Sequence, residues 1–180
     1  GYEKGAFTGA QQAQAGKFEQ AQDGTLLLDE VTEMPMGLQA KLLRVLQERE
    51  VERVGGKKPV PLNIRIVATS NRDMAEAVAK GALREDLFYQ LNAFPVAIPA
   101  LRQRPLDITP IARHFVVEHG GRFGRTGVSL SDSAERALTS HDWPGNVREL
   151  ENVIQRALIM APGSVIETSH LNLVPRPVEQ

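Results

Sequence analysis

The stretch "GTLLLDEV" (24–31) constrains the fold more than any other part of the chain. A short continuous apolar run, closed by glycine on one side and adjacent acids on the other, is the pattern of a strand buried on both faces of a parallel sheet. Open parallel sheets place their ligand crevice at the carboxyl ends of the strands, which is where Asp29 and Glu30 stand. An aspartate there can hold Mg²⁺ through water, and an adjacent glutamate can orient an attacking water toward a phosphorus. The plain alternative is a solvated acidic turn before a helix, where carboxylates also suit the dipole. Taken alone, these residues leave both open.

Beyond the acid pair the α/β pattern continues. "MPMGLQAKLLRVLQERE" (34–50) sets Leu38, Leu42, Val45, Leu46 and Arg49 at helical spacing, with Pro35 suited to the first turn. Gly55-Gly56 supplies a turn, and Leu62, Ile64 and Ile66 alternate with Asn63 and Arg65, predicting a second strand that ends near Ser70-Asn71. A helix from about Asp73 to Lys80, a polar stretch "GALREDLFYQLN" (81–92) and a short strand "FPVAI" (94–98) complete this layer. Beyond Pro99 the pattern changes to helices alone, roughly Asp107–His119, Ser131–Ser140 and Asn146–Met160. A proline-marked turn from Leu101 to Asp107 reads as the hinge. The expected division is an α/β part over 1–103, a helical part over 104–175 and a linker over 176–180.

Composition narrows the function classes. With 42% hydrophobic and 24% charged residues in 180, the chain reads as globular, with one sizeable core and room for a satellite domain. Lys and Arg total 21 against 22 Asp and Glu, so bulk charge offers no footprint for nucleic acid or an anionic membrane. The absence of cysteine excludes disulfides and thiolate metal sites and fits a cytoplasmic location. No apolar run nears membrane-spanning length, and no signal peptide is expected.

A phosphate loop, G-x-x-x-x-G-K-[ST], should accompany the acidic strand, and no stretch of the chain fits it. Around Gly16-Lys17, Gln11 occupies the first glycine position and Phe18 replaces the hydroxyl that would touch magnesium. That loop is expected upstream of Gly1, in a longer polypeptide, and the chain as given is expected to bind nucleotide poorly. Ser70-Asn71 could sense a γ-phosphate or position water, or serve as a turn. Arg84 and Arg148 could be ligands or ordinary surface charges. Histidines 114, 119, 141 and 170 form no metal or triad pattern and read as structural.

The opening "GYEKGAFTGA" poses a different problem, because Phe7 has no apolar neighbour at strand or helix spacing in the next residues of the chain. Glycines on both sides leave two readings: a mobile loop with an aromatic tip, or a terminus whose Phe tucks back onto the domain.

Together, "GAFTGA", "GTLLLDE", "LLRVLQEREVERVGG", "LREDLFYQLNAFPVAIPALRQRPLDI" and "WPGNVRELENVIQRA", in this order, closely resemble the AAA+ domain of bacterial sigma-54-dependent transcription activators, the enhancer-binding proteins. The likeness runs from Gly1 to about Pro175. It implies a partial AAA+ α/β subdomain of parallel-sheet type, followed by a small all-helical lid. It also implies an ATPase using ATP and Mg²⁺ in a hexameric or heptameric homo-oligomeric ring, acting on the sigma-54 RNA polymerase holoenzyme and reaching DNA only through a separate domain. In that likeness Gly5, Ala6, Phe7, Thr8, Gly9 and Ala10 form the loop that engages sigma-54, with Phe7 and Thr8 in contact. Asp29, as the Mg²⁺ residue, and Glu30 look like the Walker B pair. Ser70-Asn71 looks like sensor I, Arg148 like sensor II reaching ATP from the lid, and Arg84 like an arginine finger entering the neighbouring subunit's site. Gly24 and Thr25 are carried over on the nucleotide side, and "RVGGKKPVPLN" (53–63) as a second, supporting loop.

Two departures stand out. Gln90 occupies a position where the family usually has a second arginine, and Ser70 replaces a common threonine while keeping the hydroxyl. Gln90 opens a rival reading, a nucleotide-dependent binding module with weakened hydrolysis. A helicase or unfoldase of the same superfamily is a third, for which "GAFTGA" has no use.

Overall fold

In chain order the first part of the fold carries α1 (Lys17–Gln20), β1 (Thr25–Leu28), a 3₁₀ turn (Val31–Glu33), α2 (Met36–Glu48), β2 (Glu50–Glu52), β3 (Pro59–Pro61), β4 (Arg65–Ala68), α3 (Met74–Ala79) and α4 (Glu85–Leu91). The second carries a 3₁₀ turn (Leu101–Gln103), α5 (Pro105–Arg122), β5 (Ser129–Leu130), α6 (Asp132–Ser140), α7 (Asn146–Met160), β6 (Val165–Ile166) and α8 (Thr168–Leu171). The computed structural model describes residues 1–173, so the expected linker over 176–180 lies outside the described residues. Two units are distinguished by their internal contacts, Gly1–Val96 and the part from Ala97 onward.

In the first unit β1 and β4 pair in parallel, with Leu26 opposite Ile66 and Leu28 opposite Ala68. Leu28 and Ala68 face a core of Val31, Leu42, Ala77, Leu83 and Leu87. The other face is not covered within this unit: Leu27 and its partner Val67 are exposed. The expectation of a strand buried on both faces is therefore corrected, because helices cover only one side of this two-stranded pair. β2 and β3 form an antiparallel hairpin, Val51 opposite Val60. Asp73 caps α3 by accepting the Glu76 backbone N–H at 2.9 Å.

Three further expectations change. In α2 the inward positions are Gln39 and Leu42, while Leu38 is exposed, so the stripe is rotated from the one drawn through Leu38. The polar stretch 81–92 contains a helix, α4: Leu87 is fully buried and Phe88 and Leu91 pack beside it, a short apolar stripe hidden in sequence by Arg84, Glu85 and Asp86. "FPVAI" forms no strand among the described residues, and the whole segment, Phe94, Val96 and Ile98 included, is exposed. An extended segment becomes a strand only with a ladder partner, and Pro95 removes a donor.

The second unit is helical as expected. α5, α6 and α7 enclose a core around Ile108, Leu138, Trp143, Leu150 and Ile154, all fully buried. The Trp143 indole satisfies its N–H by donating to the Leu138 carbonyl at 2.8 Å. The helices-alone expectation misses a two-residue parallel pair, β5 with β6, which ties the segment before α6 to the one after α7.

Candidate functional site

The chain turns sharply where β1 ends. Glu30 is left-handed, at φ 52° and ψ 52°, an uncommon conformation for a residue with a side chain. Its backbone N–H is held by Thr69 Oγ1 at 3.0 Å, and the same hydroxyl donates to Asp29 Oδ1 at 2.6 Å. The Val31 N–H donates to the Thr69 carbonyl at 2.9 Å, and the Thr69 N–H to the Leu28 carbonyl at 2.9 Å. Parallel pairing thus carries β4 past its last strand residue and sets Thr69 beside the acid pair. Asn71 Nδ2 lies 3.5 Å from Glu30 Oε1. Arg72 closes the outer side through an ion pair with Glu33 at 2.6 Å.

Of the residues singled out in sequence, Asp29, Glu30 and Asn71 therefore come together. Ser70 does not join them: its hydroxyl lies 3.2 Å from Thr32 Oγ1, donates to the Arg72 carbonyl at 2.8 Å and accepts the Arg72 N–H at 3.1 Å. Thr69 is the hydroxyl that touches the acids, a residue the sequence reading passed over although it directly precedes the pair singled out there. Gly24 directly precedes β1 and Thr25 opens it, so they stand at the far end of the strand, about 17 and 13 Å from Asp29 at the usual strand rise. Both carboxylates are exposed. One Asp29 oxygen takes the Thr69 hydroxyl, and the other carboxylate oxygens offer hard donors suited to Mg²⁺. Among the described residues no three acidic or histidine side chains cluster as metal ligands. Adjacent carboxylates are hard-oxygen donors of the kind Mg²⁺ takes alongside water and phosphate.

Arg84 immediately precedes α4. Its guanidinium forms a fork with Asp86, Nε to Oδ1 at 3.0 Å and Nη2 to Oδ2 at 2.7 Å, and Asp86 Oδ1 also accepts the Leu87 N–H at 2.8 Å. The Arg84 hydrogen bonds hold the Asp86 carboxyl below the usual carboxylate range, and those to Asp86 push the Arg84 guanidinium higher still. Gln90 lies exposed on α4 itself.

The "WPGNVREL" turn is built by its other members. Asn146 Oδ1 accepts the Leu101 N–H at 2.8 Å, the Glu149 carboxylate accepts the Gly145 N–H at 2.7 Å, and Trp143 is in the core. Arg148 is exposed on the first turn of α7 and forms no ion pair among the described residues.

The loop at residues 5–10 closes on itself. The Gly5 N–H donates to the Ala10 carbonyl at 2.8 Å and the Ala10 N–H to the Phe7 carbonyl at 3.0 Å, with Gly5 and Gly9 at φ 81° and 105°. Phe7 is 53% exposed, yet its ring meets Tyr2 edge-on at 5.0 Å. The aromatic is therefore an exposed tip with one flank braced, which combines the two sequence readings. Tyr2 pairs with Gln14 through two backbone bonds of 2.9 and 2.8 Å, and the Glu3 N–H donates to the Val54 carbonyl at 2.9 Å. The 53–56 loop thus lies directly against this one. A Cβ on Gly55 would stand 2.9 Å from Ala6 Cβ, so only glycine permits the approach. Arg53, at the start of the 53–56 loop, donates to Glu19 of α1 at 2.6 Å and to Glu3, just before the 5–10 loop, at 3.2 Å. Hydrogen bonds from Arg53 hold the Glu19 carboxyl below its ordinary range.

A parallel-strand α/β unit with an acid pair at its carboxyl end, followed by a helical unit, has the form of an AAA+ ATPase module. The description "Sigma-54 interaction domain" matches residues 1–97, and "AAA+ ATPase lid domain" matches residues 102–177. The chain belongs to the sigma-54 interaction domain family of AAA+ proteins. It is similar to the response regulator protein FleR of Pseudomonas aeruginosa, 57% identical over 173 residues, covering 96% of this chain and 37% of FleR. It is also similar to the transcriptional regulatory protein FlbD of Caulobacter vibrioides, 53% identical over 173 residues, covering 96% of this chain and 38% of FlbD. The crystal structure of NtrX from Brucella abortus in complex with ATP matches with a TM-score of 0.80 at 35% identity, covering 92% of this chain and 40% of NtrX. The chain thus spans less than half the length of these relatives. Among the described residues no helix is long and apolar enough to cross a membrane.

Proposed function

We propose that this chain forms part of the ATPase of a sigma-54-dependent transcription activator, with an α/β part over 1–103 and a lid over 104–175. Subunits of a homo-oligomeric ring hydrolyse ATP at their interfaces, and the cycle raises and lowers the Gly5–Ala10 loop against sigma-54 in the polymerase holoenzyme. DNA is reached through a separate domain. The observation that carries the reading is the acid pair with its polar neighbours: Thr69 tethers Asp29 at 2.6 Å, and Asn71 lies 3.5 Å from Glu30. NtrX structures with ADP and with ATP lend support from a relative of the same fold.

Bound Mg²⁺ would neutralise phosphate charge and polarise the transferring group. Asp29 would anchor the ion, with one oxygen tethered by Thr69. Glu30 would accept a proton from water and orient it, with the Asn71 amide fixing the carboxylate's direction. Arg84 would offer a planar, permanently charged fork to the phosphates bound by a neighbouring subunit. Arg148 would close on the nucleotide from the lid. Phe7, with its neighbour Thr8, would meet sigma-54 by contact.

The test uses Glu30→Gln in the complete polypeptide, which keeps shape and a hydrogen bond but removes the base. ATP should still bind, phosphate release should slow strongly, and open-complex formation on a sigma-54 promoter should stop. Hydrolysis at the normal rate would overturn the assignment.

A further inference from the structure

Gln39 is a fully buried polar side chain in the first half of α2, on the face that also buries Leu42. Its amide is well partnered: Nε2 donates to the Met34 carbonyl at 2.7 Å and to the Ala82 carbonyl at 2.8 Å, and Oε1 accepts the Arg84 backbone N–H at 2.9 Å. Two carbonyls and one N–H as partners admit a single orientation of the amide, since a flipped group would set oxygen against oxygen. No aliphatic residue can replace this set, and a shorter amide would not span it.

The partners give the arrangement its meaning. Met34 ends the 3₁₀ turn that begins directly after Glu30, with the Met34 N–H donating to the Val31 carbonyl at 3.2 Å and the Glu33 N–H to the Glu30 carbonyl at 2.9 Å. Ala82 and Arg84 flank the point where the chain leaves α3 and enters α4, and Leu83 between them is buried. One side chain therefore clamps the turn after the acid pair to the backbone that launches Arg84. Asp86 aims the Arg84 guanidinium, and Gln39 fixes the backbone from which it departs.

We propose that Gln39 is a positioning residue for Arg84: its buried amide holds the Arg84 backbone in register with the turn after Glu30, so that the guanidinium meets the neighbouring subunit's site. The inference rests on Arg84 acting in trans, the role proposed for it under the function of the chain. A finger must be placed within a fraction of an ångström to stabilise transferring charge, and a 1 Å misplacement costs on the order of 10²-fold in rate. Gln39 itself touches no nucleotide; its effect passes through Arg84.

The experiment is subunit mixing in the complete polypeptide. Gln39→Met keeps the volume and removes all three hydrogen bonds. Alone, it should lower ATP turnover by about 10- to 100-fold while the KM for ATP stays within about twofold, because the subunit's own nucleotide site is intact. Mixed with Glu30→Gln subunits, which have a good finger and a disabled water site, it should regain activity above the sum of the two homogeneous rings. Mixed with Arg84→Ala subunits it should not, since neither partner supplies a finger. Should Gln39→Met fail to fold by thermal melting, Gln39→Glu takes its place; as the neutral acid it keeps the acceptor for Arg84 and one donor, and should show the same complementation on a smaller loss. The parallel mixture of Arg84→Ala with Glu30→Gln separates the two claims. If that mixture gains nothing, Arg84 is not the finger and both claims fall. If it recovers while the Gln39 variant either turns over normally alone or fails to complement, the positioning role alone is overturned.

Discussion

The Thr69 hydroxyl serves two residues of the acid pair at once, donating to Asp29 Oδ1 at 2.6 Å while accepting the Glu30 backbone N–H at 3.0 Å. Thr69→Val keeps the β-branched shape and removes both bonds, whereas Thr69→Ser keeps the hydroxyl. The valine variant should lower phosphate release by the complete polypeptide about 10-fold or more and destabilise the fold by about 1–3 kcal/mol, the net worth of two hydrogen bonds. The serine variant should retain most activity. Equal activity of the two would show that the hydroxyl is not used.

Phe7 meets Tyr2 edge-on and leaves about half of its surface, 53%, in solvent. Phe7→Ala should cost about 1 kcal/mol or less of stability, the range for a single aromatic pair at a surface position, and leave ATP hydrolysis nearly unchanged. Open-complex formation should disappear. A large fall in melting temperature with normal activation would mean that the ring packs rather than contacts.

Arg84 and Gln90 share the α4 segment but not their chemistry, since glutamine offers only a neutral amide where arginine offers a charged fork. Arg84→Ala should reduce turnover on the order of 10³- to 10⁵-fold, by analogy with other arginine fingers, and Arg84→Lys should not rescue it. Gln90→Arg should raise hydrolysis modestly or leave it unchanged. A gain of several orders of magnitude at position 90, with Arg84→Ala still active, would move the finger to Gln90 and favour the reading of a chain with weakened hydrolysis.

Glu19 and Arg53 give an acid-sensitive brace beneath the loops. Because hydrogen bonds from Arg53 depress the Glu19 carboxyl in the folded state, its stabilisation is complete above the ordinary carboxylate range and is lost as pH falls through the depressed value. The melting-temperature gap between the native chain and Arg53→Met should therefore be widest near neutrality and narrow steadily below about pH 4. A gap that is constant from pH 7 to pH 3 would assign the stabilisation to packing of the arginine stem instead.

Much of the fold was legible where the information is local. The helical repeats of α5, α6 and α7, a helix beginning near Asp73 and the run from Gly24 to Leu28 closed by two acids are patterns within a few residues of one another, and the structure has each. The order of the "GAFTGA", "GTLLLDE" and "WPGNVREL" segments likewise carried the family without any coordinates. What stayed hidden depends on partners far along the chain. Helical spacing allowed either Leu38 or Gln39 to face inward, and the choice was made by carbonyls at Met34 and Ala82 and an N–H at Arg84 that only glutamine can satisfy together. "FPVAI" is a short apolar run, but strand formation needs a neighbour that the run itself does not supply. Thr69, rather than Ser70, reaches the acids because side chains alternate across a strand and the β1–β4 register sets Leu28 opposite Ala68. A slip of one residue would have turned Thr69 away and brought Ser70 in. The amino-acid sequence by itself determined which chemical groups the chain carries and which segments coil or extend. Only tertiary pairing, across about 40 residues of chain, decided which hydroxyl, which amide and which backbone N–H meet.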